Sequence, residues 1–291
     1  MNIRFTLETD FEEVEEVAVG HFKWGITRNT DCPECSLCMA LTCRPAQKAP
    51  SLWMCEAAGT FDVTYETANS RGIQYTKSEK KWEACINQSY ADVHLHHKTR
   101  NTGNATLSAG TVVVEITASF YVDLTDPKNP FIEEESDAVK LKVDDEDLWM
   151  SKKELIANST FFADLLDGPE ETRELEEVKM NQFIHFLGLV HNLNMPIDEL
   201  SVYYLLDMAD KFQCEDVVDK CVAFLRTSPA VTPLEKVRLA DLYDLRQVLL
   251  ETLDKMPFKA LKTLAWDAAM NHYDLSDYTL KLVELKKSSL R

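Results

Sequence analysis

Cys32, Cys35, Cys38, Cys43 and Cys55 crowd into one short stretch, and His94, His96 and His97 follow it. The pair Cys32-Pro33-Glu34-Cys35 offers two thiolates at knuckle spacing, and a tetrahedral zinc site needs a second pair of nitrogen or sulfur donors. The later cysteine spacings do not repeat that knuckle. In a strand, Cys38 alternates against Leu37, Met39 and Leu41, whereas Cys43 shares their parity. The two thiols then point to opposite faces, and one would have to leave the sheet to share a metal. The cysteines therefore read first as small hydrophobic side chains. His94 and His96 share a strand face and read as a solvated cluster. Cys32 with Cys35 remains the pair from which any zinc site would start, but no metal and no cofactor are expected.

The carboxylate runs Glu133-Glu134-Glu135 and Asp144-Asp145-Glu146-Asp147 have no His or Cys clearly paired with them, and such runs are usually solvated turns. There is no GxSxG elbow, no P-loop and no glycine-rich dinucleotide turn. No catalytic residue is expected. The formal net charge is −18, and only 12 bases face 17 acids through residue 130. Nucleic-acid affinity is built on outward Lys and Arg, so a nucleic-acid partner is not expected. Residues 111–122 form the most apolar run, too short to span a membrane and interrupted by Glu115. The first residues are acidic and lack an apolar signal core. Together these point to a soluble protein of the cytoplasm or nucleus whose thiols stay reduced.

The elements that must carry these residues come in two kinds. Short alternating segments at 21–28, 36–44, 53–57, 60–66 and 111–122, separated by Ser, Thr, Asn and Gly clusters, predict a β-sandwich. Residues 124–136, with Pro127, Pro130 and three consecutive Glu, predict a linker. Beyond it Val139, Leu141 and Val143 alternate with Ala138, Lys140 and Lys142, which predicts a half-buried strand. An acidic turn over 144–147 and a return strand at 148–150 follow. Ser151 with Glu154 predicts a capped helix start. Phe161, Phe162, Leu165 and Leu166 cluster on a helix that Gly168-Pro169 ends. After residue 198 the pattern is helical, with Pro257 as a breaker.

Particular residues in this order resemble the BTB/POZ family. They are Asp137-Ala138-Val139, Ser151-Lys152 with Leu155, Ser159 and Phe162, then Met180-Asn181-Gln182-Phe183, the run 206–212 and the run 221–225. The first half resembles the MATH (TRAF-C-like) sandwich through the runs 22–26, 37–41, 53–57 and 61–63, then Trp82 with Ile86 and the closing strands over 107–121. The resemblance implies a two-domain chain, β then α+β. A MATH-like antiparallel β-sandwich would fill 1–126 and a linker 127–136. A BTB/POZ domain would fill 137–227 and a helical extension 228–291.

A sandwich followed by a BTB domain resembles the substrate adaptors of cullin-3 RING ubiquitin ligases. The resemblance implies a homodimer, with Asp137 and Lys152 as a charged pair near the dimer interface. It implies a cullin contact on Phe162 and Leu166 and on the loop Pro169, Glu170 and Glu171, where Pro169 stands in place of the family's apolar residue. It implies a protein substrate held by the sandwich. Trp82 is the candidate groove residue, although the segment 82–86 lacks the family's Trp-Gly-Phe cluster. The competing reading is a BTB dimer that scaffolds a transcriptional or cytoskeletal complex without a cullin. A helical pair over 233–252, with Leu245, Val248 and Leu249 as an apolar face, favours the adaptor.

Overall fold

A computed structural model describes residues 3–8, 16–19, 22–28, 37–46, 50–69, 72–88, 92–97, 110–168, 172–269 and 275–290. The N-terminal strands are β1 (Ile3–Glu8), β2 (Val17–Val19), β3 (Phe22–Arg28), β4 (Leu37–Pro45), β5 (Trp53–Asn69), β6 (Gly72–Asn87), β7 (Asp92–His97) and β8 (Gly110–Asp123). They form two four-stranded sheets, ordered β1-β8-β5-β6 and β2-β3-β4-β7, with every pairing antiparallel. The inward residues of both sheets meet in one apolar core around Trp24, Ile26, Met39, Leu41, Trp53, Phe61, Val114 and Ile116. This is the sandwich that the alternation predicts.

The structure adds strands that the alternation did not reveal. β1 and β2 are short edge strands, and β6 and β7 carry polar runs that dilute the period-2 signal. The segments read as separate strands at 53–57 and 60–66 are one strand, β5, with a register shift between Ala58 and Gly59. Gly59 is required there. A Cβ would meet the Glu115 carbonyl oxygen at 1.7 Å and the Trp82 ring at 3.0 Å.

Next come β9 (Ala138–Val143), β10 (Glu146–Ser151), α1 (Lys152–Asn158), α2 (Thr160–Leu165), β11 (Thr172–Leu175) and α3 (Met180–Val190). β10 pairs antiparallel and β11 parallel with the central β9. The acidic turn between β9 and β10 is a tight hairpin, with Asp144 and Asp145 both at positive φ (49° and 65°). Asp tolerates that region better than most side chains, which is why two acids can close this turn. α3 is apolar nearly all round, and Phe183, Ile184, Phe186 and Leu187 are buried to within 1% of full coverage. The remaining helices are α4 (Ser201–Lys211), α5 (Glu215–Thr227), α6 (Pro233–Leu242), α7 (Arg246–Lys255), α8 (Phe258–Ala269) and α9 (Asp277–Ser289). α6 opens with a complete capping box from Thr232 and Glu235 and has Pro233 in its first turn. The helical pair expected over 233–252 is α6 and α7, and Pro257 separates α7 from α8.

Two compact units result. One comprises residues 1–154 with 168–196, the other 155–167 with 197–291. Within the first unit the Pro-rich segment is a folded turn. Asn129, 2% exposed, donates from Nδ2 to the carbonyls of Asp126 (3.0 Å) and Trp149 (2.9 Å), while its Oδ1 accepts from the Phe131 amide at 3.0 Å. Phe131 stacks almost parallel on His191, with ring centroids 3.8 Å apart. The His191 Nε2 is buried and has no hydrogen-bond partner among the described residues, and burial holds its pKa down at about 4.

The sign of the consequence follows. An unfolded His191 takes up a proton near pH 6.5, and the folded one resists until about pH 4. Its contribution to stability is complete above pH 6.5 and is lost as pH falls toward 4. His191→Phe, which keeps a flat ring on Phe131, should flatten the stability profile across that window. Chemical denaturation at pH 7.0, 5.5 and 4.5 measures this, with wild type expected to lose more stability than the variant.

Candidate protein-interaction site

Helix α2 and the chain leaving it are where the sequence places a partner contact. Ser159 caps the helix, its Oγ accepting from the Phe162 amide at 3.1 Å and donating to the Phe212 carbonyl. This anchoring turns Phe162 and Leu166, one helical turn apart, inward; they are 1% and 2% exposed. Phe162 packs on Phe212, with ring centroids 5.1 Å apart. Phe162 and Leu166, expected at a partner contact, are both buried in this chain. The neighbouring stripe, Phe161 and Leu165, is half-buried, and Asp164 and Asp167 are exposed. The i, i+4 spacing was legible, but two such stripes lie side by side, and only the Ser159 anchor decides which one turns in.

Past α2 the chain turns at Gly168, whose φ of 153° lies where a side chain is strained. Pro169, Glu170 and Glu171 lie outside the described residues. Together with Asp164 and Asp167 they make this stretch acidic. Asp164 in the last turn of α2 and Asp167 just beyond it oppose the helix dipole, so these two do not serve the stability of α2.

Asp137 is 4% exposed and acts as a helix cap. One carboxylate oxygen accepts from the Ser151 hydroxyl at 2.5 Å and the other from the Lys153 amide at 2.8 Å, while Ser151 Oγ accepts from the Glu154 amide at 3.1 Å. The first turn of α1 is therefore capped by both Ser151 and Asp137. Among the described residues no ion pair joins Asp137 to Lys152. A carboxylate already engaged by two donors holds the hairpin end against α1, and Lys152 is only half-buried beside it.

Trp82 is also relocated. It is 8% exposed and packs in the sandwich core opposite Gly59, with its indole Nε1 buried and without a partner among the described residues. The missing Cβ of Gly59 makes room for the ring, which is why it is core and not the floor of a groove. Trp24 and Trp53 are core residues.

The thiols fall as their parity predicts. Cys43 is inside the core between the sheets, and Cys38, on the other face of β4 and also buried, lies beside His96, with Sγ 3.3 Å from Nδ1. A hydrogen bond from Cys55, then burial, pushes the Cys43 thiol far above its ordinary pKa, and burial raises that of Cys85. Such groups stay protonated at neutral pH and are poor ligands or nucleophiles. Among the described residues no group of three or more His, Cys, Asp or Glu is placed to hold a metal ion. Cys32 and Cys35 lie outside the described residues. No described helix is long and apolar enough to cross a membrane.

Comparison with known proteins agrees with this geometry. Residues 131–229 match the BTB/POZ domain model. The chain is 23% identical over 265 residues to BTB and MATH domain-containing protein 38 of Caenorhabditis elegans, an alignment covering 83% of this chain and 64% of that protein. It is 21% identical over 306 residues to BTB and MATH domain-containing protein 36 of the same organism, covering 94% of this chain and 92% of the relative. The chain thus spans a little under two thirds of the first of these relatives.

Asp137→Ala should remove two buried hydrogen bonds and destabilise the fold by about 2–4 kcal/mol, whereas Lys152→Ala should stay within about 0.5 kcal/mol. Thermal melts beside sedimentation equilibrium check this. A dimer lost in Lys152→Ala with an unchanged melt would restore Lys152 to the interface.

Proposed function

We propose that this chain, a BTB-domain protein of the MATH–BTB arrangement, is a non-catalytic adaptor. It dimerises through its BTB domain and links a target protein held by the sandwich to a cullin-3 RING ubiquitin ligase, in the cytoplasm or nucleus. The observation that carries the reading is the order of parts: a β-sandwich, a BTB domain and then the helical pair α6–α7. Such parts are suited to holding other proteins. The chemical contribution of such a protein is position. It raises the effective concentration of a target lysine near a charged conjugating enzyme, and dimerisation makes a second target contact intramolecular.

In this reading the acids Asp164, Asp167, Glu170 and Glu171 present the cullin-facing charge, with Phe161 and Leu165 as the accessible apolar stripe. Leu166 is unsuitable for a test. Its truncation leaves a core cavity costing about 2–5 kcal/mol, and lost binding would then report lost folding. Glu170 and Glu171 carry the test instead.

The double charge reversal Glu170→Lys with Glu171→Lys should reduce cullin-3 capture in a pull-down at least tenfold, leaving the melting midpoint and dimer mass unchanged. Undiminished capture would clear this segment of the contact. Absence of cullin from wild-type pull-downs, with a transcriptional or cytoskeletal complex recovered instead, would favour the scaffold reading.

A further inference from the structure

The outer face of the β5–β6–β8 sheet is buried at one end, where an isolated sandwich would meet water. Met54 lies opposite Asn87 on one side and Val122 on the other, so these three share the face turned away from the sandwich core. Met54 and Asn87 are 0% exposed and Val122 is 1%. Cys85, opposite Glu56 on the same face, is 2% exposed.

What covers them comes from the segment following α3. Met195 lies over Gly188, where a Cβ would meet Met195 Cγ at 2.4 Å and Met54 Sδ at 3.6 Å. The Cys85 amide donates to the Asn194 carbonyl at 2.9 Å. In return the Asn194 Nδ2 and backbone amide donate to Glu56 Oε1 at 2.9 Å and 3.3 Å, and Nδ2 also lies 3.5 Å from Glu83 Oε2. At the margin, Phe120 from β8, Phe131 from the folded turn and His191 form a run of rings, with centroids 6.1 Å and 3.8 Å apart. The Trp149 amide of β10 donates to the Leu124 carbonyl at 2.8 Å.

We propose that these contacts are a clasp that fixes the sandwich to the β9–β10–β11 sheet and α3 as one rigid body, instead of two modules tethered by a flexible linker. Apolar side chains at Met54, Val122 and Met195 cannot be bared to water without cost, and Gly188 leaves the gap that Met195 fills. The backbone bond at Cys85 and the side-chain bonds at Glu56 fix the register, so the covered face cannot slide. Its meaning for targeting rests on the adaptor reading: a target held by the sandwich would be presented at one fixed orientation, not swept through a cone of positions.

The test needs no partner, so its outcome is separate from that of the cullin experiment. Dyes placed through unnatural amino acids at exposed Lys81 on β6 and Glu146 on β10 report the inter-sheet distance by single-molecule energy transfer. The full chain should give one narrow distribution. Asn194 is exposed, and N194D sets a third carboxylate against Glu56 and Glu83. It should broaden the distribution, and adding E56Q with E83Q should narrow it again. F131S, which removes the middle ring of the run, should broaden it independently. A broad distribution in the wild type overturns the proposal, as does one that stays narrow in both N194D and F131S. Broadening by N194D that the two glutamines fail to reverse would also overturn the assigned contact. Circular dichroism on each variant confirms that the sandwich itself remains folded.

Discussion

Strand β5 is buried on both faces at its N-terminal end, and much of the first compact unit follows from that constraint. Trp53, Cys55 and Ala57 face the core between the two sheets, while Met54 on the opposite face is equally covered. An antiparallel sheet normally keeps one face solvated. A strand apolar on both faces needs a second layer, and among the described residues the segment 188–195 and the turn around Phe131 supply it. The run Trp53-Met54-Cys55 carries this demand in its composition.

Much of the architecture was legible in the sequence because it rests on local rules. Alternation at 138–143, the two acids of the hairpin turn, the Ser151 cap, Gly168 and the helical faces of α5 to α7 all act within a few residues. The edge strands were not legible. β6 interleaves Lys, Ser and Glu with its inward residues, and β1 is identifiable only by the partner it finds in β8. Likewise the composition over 124–136 reads as a linker, and nothing local announces the folded turn in which Asn129 bonds to Trp149.

The candidate site was legible only in part, for a related reason. Sequence spacing located the helix face that holds Phe161, Phe162, Leu165 and Leu166, but not the half that turns inward. That choice is made by Ser159 and Phe212, fifty-three positions apart. Asp137 shows the same limit. The family resemblance implied a charged pair with Lys152, while the position of Asp137 two strands from Ser151 made it a cap. For both, the residue type was informative and the partner was set by tertiary structure.

The pairing of β1 with β8 bears on how the chain is made. Ile3 finds its partner at Ile116, and β1 takes the edge of the sheet beside β8. By contrast β5 and β6 meet through a short local reversal. On a ribosome β1 can pair with β8 only after more than a hundred further residues have been made, whereas the two sides of the β5–β6 hairpin emerge one after the other. Long-range pairing is slow, and an unpaired apolar strand invites association with other chains. The pairing of Phe5 with Val114 thus joins residues made more than a hundred positions apart, and the flank of β8 that β1 covers stays open until both have been made.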